Sequence, residues 1–304
     1  MNIRITQSLL ALLIDISDYR MLSLSQIAHL HFQGKRQARR RMQQLLEERL
    51  VEMLPGCHGV GGGRPESVYG ISKAGLKLLK EQGLLDGGLS IDQVGGEKLS
   101  PQAAHQRLLG WFRIHLAHLC RHCSRLESSV MTCNSPLTLD ADTGMPGIRI
   151  SMTNDTDAAL HFTPDAAMLI TDRSQPKSVL FFLEVDMGTE ALSSEGGGDI
   201  REKILRYKHY FRTAGYKRFE QTWRTPLNGF RLLFLTNSTS RHAALCALTR
   251  SLAPSGFVWI TTAEQLFADG ISGPIWTAGG QSDHDRRSIV GGLAQSCPLP
   301  QLGD

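Results

Sequence analysis

Nothing in the 304 residues approaches a run of 18 uncharged apolar side chains, about the length a helix needs to cross a bilayer. The early apolar stretch Leu9 to Ile16 is interrupted by Asp15 and closed by Ser17 and Asp18, with no small-residue cleavage pattern. Neither export nor membrane insertion is expected, and the chain reads as cytoplasmic. Cysteine is sparse. Six are spread over positions 57, 120, 123, 133, 246 and 297, unlike the dense disulfide frameworks of small secreted domains, so free thiols in a reducing compartment are expected. No internal repeat is present. The glycine-rich stretch GVGGGRPES lacks the Gly-Lys-Ser/Thr ending of a phosphate-binding loop, and no G-x-S-x-G elbow frames a serine. Nucleotide-loop and serine-hydrolase chemistry therefore have no support.

What is present suffices for two conventional cores, with apolar residues at 41% and charged residues at 20%. The net charge of +4 is unevenly placed. Residues 1–85 carry twelve Lys/Arg against seven Asp/Glu, whereas the remainder carries 21 against 22. A polyanionic partner for the N-terminal quarter follows.

Residues 1–85 read as helix, helix, turn, helix, hairpin, helix. The pattern predicts helices over Thr6–Ile16, over Gln26–Phe32 with Ser25 as cap, and over Arg36–Arg49. The third places Ala38, Met42, Leu45 and Leu46 on one stripe, with Arg36, Gln37, Arg40, Gln43 and Gln44 centred opposite. Two short strands, LVEML and ESVYGIS, flank a glycine-rich tip carrying Arg64, and Ser72 caps a helix to about Gln82. This order, with charge on its third helix, is that of a winged helix-turn-helix. In the major groove arginine reads guanine and glutamine reads adenine. Arg36, Gln37, Arg40 and Gln44 are thus candidate contacts to double-stranded DNA, with Lys35, Arg39, Arg41 and Arg64 candidates for its phosphates. The first helix or the helix from Gln102 is a candidate homodimer contact, although no sustained heptad supports one.

Residues 86–100 have the composition of a linker, and a second domain is expected over 101–276. There a buried helix from Gln102 to Leu126 precedes strands at Ser129–Thr132, Leu160–Thr171 and Val179–Asp186. A helix over Asp199–Ala214, a strand at Phe230–Thr236, a helix over Arg241–Leu252 and a strand at Phe257–Ile260 complete an αβββαβ order with a further αβ. The fold class is α+β or α/β. Residues 277–304 lack periodicity and are expected to be disordered.

Acidic strand ends carry the chemistry expected of this domain. If the strands holding Asp165 and Glu184-Val185-Asp186 pair as an antiparallel hairpin, the start of one lies beside the end of the other, and Glu184 and Asp186 share a face. Asp165, Glu184 and Asp186 would then converge, a cluster that calls for a divalent cation such as Mg²⁺ or Mn²⁺ or for a lysine. Lys203 and Tyr207, four apart on the next helix, are placed to supply that lysine and a phenol. Hydrolysis would assign Asp165, Glu184 and Asp186 to metal, with Lys203 and Tyr207 completing the catalytic group. The stretch HLAHLCRHC offers His115, His118, Cys120, His122 and Cys123, but Cys120 points away from the histidine stripe and a second Cys pair is missing. Zinc is not expected there.

The segment from Gln102 to Ile260 resembles the PD-(D/E)xK nuclease-like fold, with Pro164-Asp165 as its "PD", Glu184 as its acidic residue and Asp186 where its lysine belongs. Lys203-x-x-x-Tyr207 stands where some relatives carry Q-x-x-x-Y. Taken whole, with RRRMQQLLEERLVEM ahead of TPDA, LEVDMGTE and KILRYKHYF, the chain resembles the replication-relaxation family of plasmid and integrated mobile elements. The resemblance implies DNA as partner and a role in plasmid replication, DNA relaxation or mobilisation. Two alternatives stand beside a metal-dependent nuclease: a noncatalytic accessory that docks a replication or mobilisation enzyme, and a winged-helix transcriptional regulator.

Overall fold

Thr6 Oγ1 accepts from the Leu9 amide at 3.2 Å and opens α1 (Gln7–Tyr19), whose Leu9, Leu12, Leu13 and Ile16 are buried. This is a computed structural model, which describes residues 4–57, 66–95, 102–133, 135–137, 147–153, 159–175, 177–194, 198–281 and 286–302. The short β1 (Leu22–Ser23) leads into α2 (Leu24–His31). Its cap is Ser23, not Ser25: Gln26 Oε1 accepts from the Ser23 amide at 2.9 Å while Ser23 Oγ accepts from the Gln26 amide at 3.3 Å. The reciprocal bonds of a capping box decide between the two serines, because only Ser23 has a glutamine three residues on.

Three residues separate α2 from α3 (Lys35–Glu47), which buries Ala38, Met42 and Leu45. β2 (Val51–Cys57) and β3 (Glu66–Ile71) form an antiparallel pair, and β1 joins β3 on the other edge. Residues 58–65, including Arg64, lie outside the described residues. Ser72 caps α4 (Lys73–Glu81) by accepting from the Gly75 amide. A side chain at Gly75 would place its Cβ 2.1 Å from the Leu50 carbonyl oxygen, so glycine lets α4 pack against the start of β2.

The chain divides into two compact units. The first contains residues 1–114, 134–147 and 300–304, and so extends past the expected boundary at residue 85. The segment expected as a linker instead carries α5 (Ile91–Val94). There Leu89 and Val94 join the core, and the Arg20 guanidinium donates to the Gly95 carbonyl at 2.8 Å.

The boundary between units falls inside α6 (Ala103–His122). Its Leu108, Leu109, Phe112, Leu116 and Leu119 are all buried, as the helical spacing predicts. The helix ends before Leu126, which opens β4 (Leu126–Thr132). β5 (Ile150–Thr153) and β6 (Ala159–Phe162) pair with each other, and β7 (Ala166–Asp172) and β8 (Lys177–Asp186) make an antiparallel hairpin. The apolar pattern predicts one strand over Leu160–Thr171. Two form instead, separated at Thr163-Pro164, where proline has no amide to give a ladder.

Crossovers through α7 (Ile200–Arg212) and α8 (Phe219–Trp223) reach β9 (Phe230–Thr236), parallel to β8. A second crossover, α9 (Thr239–Ser251), reaches β10 (Val258–Thr262), parallel to β9. After α10 (Ala263–Asp269), β11 (Trp276–Ala278) and β12 (Arg286–Arg287) extend the sheet antiparallel, giving seven strands in the order β12-β11-β10-β9-β8-β7-β4. The fold is mixed α and β with a mostly antiparallel sheet.

Aromatic residues are few, at 7% of the chain, yet they concentrate in this unit's core. The Phe182 ring meets Phe230, Tyr207 and Phe219 at 4.9, 5.5 and 5.6 Å between centroids. The segment after Thr277 is not disordered where it is described. It supplies β12, buries Ile289 and Val290, and offers the Gln295 carbonyl to Ser272 Oγ at 2.7 Å. Among the described residues, no helix is long and apolar enough to cross a membrane.

Candidate functional site

In the first unit, α3 holds five basic residues and one acidic residue in thirteen. Its buried stripe fixes the opposite face outward. Arg36, Gln37, Arg39, Arg40 and Gln43 are exposed, and Lys35, Arg41 and Gln44 are half-exposed. Arg41 Nη1 donates to Gln44 Oε1 at 3.3 Å. Among the described residues no carboxylate pairs with Arg36, Arg39 or Arg40, and an unpaired cationic face attracts a polyanion.

In the second unit, the β7–β8 register sets Ala166 opposite Leu183, which brings Asp165 beside Glu184 as the hairpin argument requires. Asp165 Oδ2 accepts from the Val185 amide at 2.7 Å. Glu184 is 4% exposed. Its Oε1 accepts from the Tyr207 hydroxyl at 2.6 Å and its Oε2 lies 3.2 Å from Lys203 Nζ. Lys203 also reaches Glu190 at 3.2 Å. The pair expected four apart on α7 therefore meets Glu184.

Asp186 takes a different partner. Its Oδ2 accepts from Arg241 Nε at 2.6 Å and its Oδ1 from Arg241 Nη2 at 3.2 Å, with the Gly188 amide adding a bond at 2.8 Å. Neither Arg241 nor Glu190 is a residue that the sequence pattern singles out. Arg241 enters from the first turn of α9, and it reaches Asp186 because β8 and β9 run parallel, with Asp186 level with Thr236 just before α9. The signal exists in the Ser238 cap followed by an arginine, but only parallel strand order gives it meaning.

Burial pushes the Glu184 carboxyl up from 4.5 to about 7, with Lys203 drawing it down and Asp165 adding to the rise. Burial would lower Lys203, but Glu184 and Glu190 outweigh it and hold the ammonium charged. Burial, then the Glu184 charge, keep the Tyr207 phenol protonated well above its ordinary range. The site is thus a buried carboxyl fixed by one phenol and one ammonium, beside a second carboxylate clamped side-on by a guanidinium.

Magnesium or manganese ions take six oxygen ligands in a tight octahedron. Among the described residues, Asp165, Glu184 and Asp186 do not form a group whose ligand atoms all lie within 4.8 Å of one another. Glu184 and Asp186 already accept hydrogen bonds from Tyr207, Lys203, Arg241 and the Gly188 amide.

The exposed basic helix and the acidic strand ends both fall inside one match. The family model described as replication-relaxation matches residues 13–222, which include α3, Asp165, Glu184, Asp186, Lys203 and Tyr207 but not Arg241. No curated protein and no solved structure matches the chain. With more than half of its length under that one match, the chain belongs to the replication-relaxation family.

Proposed function

We propose that this protein binds duplex DNA in plasmid replication or DNA relaxation, through a winged helix-turn-helix in residues 1–85, and that its second unit is a nuclease-like scaffold that does not cut. The observation that carries the reading is the outward face of α3, with Arg36, Gln37, Arg39 and Arg40 exposed over a buried Ala38–Met42–Leu45 stripe. That face suits the major groove, where an arginine fork reads guanine and an amide reads adenine. The order of α1, α2, α3, the β2–β3 hairpin and α4, with β1 on the sheet edge, supports the winged-helix assignment.

For the second unit, α6 followed by the antiparallel β4-β7-β8 run, then α7 and a parallel β9, supports a PD-(D/E)xK-like frame. At the acidic strand ends, charged side chains are matched by partners within the protein. Lys203 lies against Glu184 and Glu190, and Arg241 occupies the carboxylate that stands where an activating lysine belongs. Cations fixed to the protein thereby do the stabilising that Mg²⁺ or Mn²⁺ does in a working nuclease. Lys203 and Tyr207 hold Glu184 in place rather than acting on a phosphate.

Supercoiled plasmid incubated with the protein and Mg²⁺ or Mn²⁺ should be retarded in a gel without conversion to nicked or linear form, equally for wild type and Asp165→Ala. Metal-dependent nicking by wild type that disappears in Asp165→Ala would overturn the noncatalytic half of the proposal. Absence of retardation would overturn the DNA-binding half.

A further inference from the structure

We propose that His118, His122 and Cys297 form a zinc site that ties the chain's C-terminal segment to the end of α6. One nitrogen from each imidazole and the Cys297 sulfur all lie within 4.8 Å of one another, the one group of His, Cys, Asp and Glu among the described residues that does so. Two imidazoles and a thiolate are donors that zinc prefers, and around a tetrahedral zinc such atoms sit about 3.3–3.7 Å apart. Small side-chain rotations close that gap, since His122 is exposed and Cys297 half-exposed.

The local geometry prepares both histidines. Four residues apart on α6, they share a helix face, and their ring centroids are 4.0 Å apart. His122 Nδ1 lies 2.9 Å from the His118 carbonyl oxygen, which leaves Nε2 as the nitrogen with a lone pair to offer. Ring nitrogens held by backbone carbonyls are the usual second layer around zinc-bound histidine, fixing tautomer and orientation.

The sulfur side is held as firmly. Gly270, at φ +73°, approaches so closely that a Cβ there would lie 2.3 Å from the Cys297 carbonyl oxygen. Ser296 Oγ donates to the Asp269 carbonyl, and Ser272 Oγ donates to the Gln295 carbonyl. Cys123, one residue beyond His122, adds a second thiol nearby, its Sγ 3.8 Å from the Leu293 carbonyl oxygen. The HLAHLCRHC stretch therefore lacks its sulfur ligand only in sequence, because the fold brings one from far along the chain. Three protein ligands leave the fourth position of a tetrahedral zinc to water, and ligands on two separate segments make metal binding and the packing of residues 286–299 one event.

The test uses the full chain, purified without a histidine tag, with Zn²⁺ or Co²⁺ alone as probe. One equivalent of zinc should survive desalting, and Co²⁺ should give the visible bands of a tetrahedral site together with a thiolate-to-metal charge-transfer band. His122→Asn, an exposed position whose fold is checked by circular dichroism, should weaken Co²⁺ binding by at least about tenfold. Cys297→Ser should remove the charge-transfer band, while Cys123→Ser should retain it. Metal well below one equivalent, or a charge-transfer band that persists in Cys297→Ser, would overturn the proposal.

Discussion

Lys203→Met is expected to destabilise the protein by about 3 kcal/mol at pH 8, where Glu184, without its ammonium, must either stay a buried charge or take up a proton. Near pH 5 the loss should be much smaller, because the Glu184 carboxyl, already raised to about 7 by burial, is then protonated. The sign follows from linkage. A carboxyl whose folded value lies above its ordinary 4.5 contributes stability that is complete below 4.5 and is lost as pH rises through about 7. Wild type should therefore lose up to about 3 kcal/mol across that window relative to Glu184→Gln, whose amide does not titrate. Denaturant midpoints measured from pH 4.5 to 8 on the three proteins check this. Identical profiles for wild type and Glu184→Gln would show that burial does not raise Glu184, and a neutral Lys203→Met at pH 8 would show that Lys203 does not hold it.

The second large effect is expected on α3. Removing Arg36, Arg39 and Arg40 together should lower duplex affinity by about 10²–10³, at about 1–3 kcal/mol for each base read and less for each phosphate held. The dependence of log K on log salt should flatten by about 0.9 for every phosphate that the variant no longer neutralises. All three arginines are exposed and unpaired among the described residues, so the thermal midpoint should stay near that of wild type. Fluorescence anisotropy over a salt series reads both quantities. Unchanged affinity and slope would remove this helix from the interface. The single variant Arg40→Ala should show the same trend at smaller amplitude.

Local pattern makes the elements legible, and topology decides which residues meet. The Ala38–Met42–Leu45 stripe announces which face of α3 turns outward, and β9 appears over the same residues its apolar run predicts. Asp165 lies beside Glu184 because an antiparallel hairpin leaves one register for the polar turn between its strands. Asp186 illustrates the opposite case. It shares a face with Glu184, yet its partner Arg241 comes across a parallel strand pair and a crossover, an adjacency no local pattern encodes. The C-terminal segment is illegible for another reason. Its packing runs through backbone carbonyls against Ser272 and Gly270 and through isolated apolar residues such as Ile289 and Val290, so it offers no period to detect. Leu89 and Val94 are likewise single anchors within glycine-rich chain.

The central claim is that the outward face of α3 contacts duplex DNA. A photo-crosslinking side chain at exposed Gln37, compared with one at exposed Ser251 in the second unit, tests it most directly. Irradiation with labelled duplex should attach DNA through position 37 and leave position 251 unlabelled. Labelling at 251 with none at 37 would contradict the account.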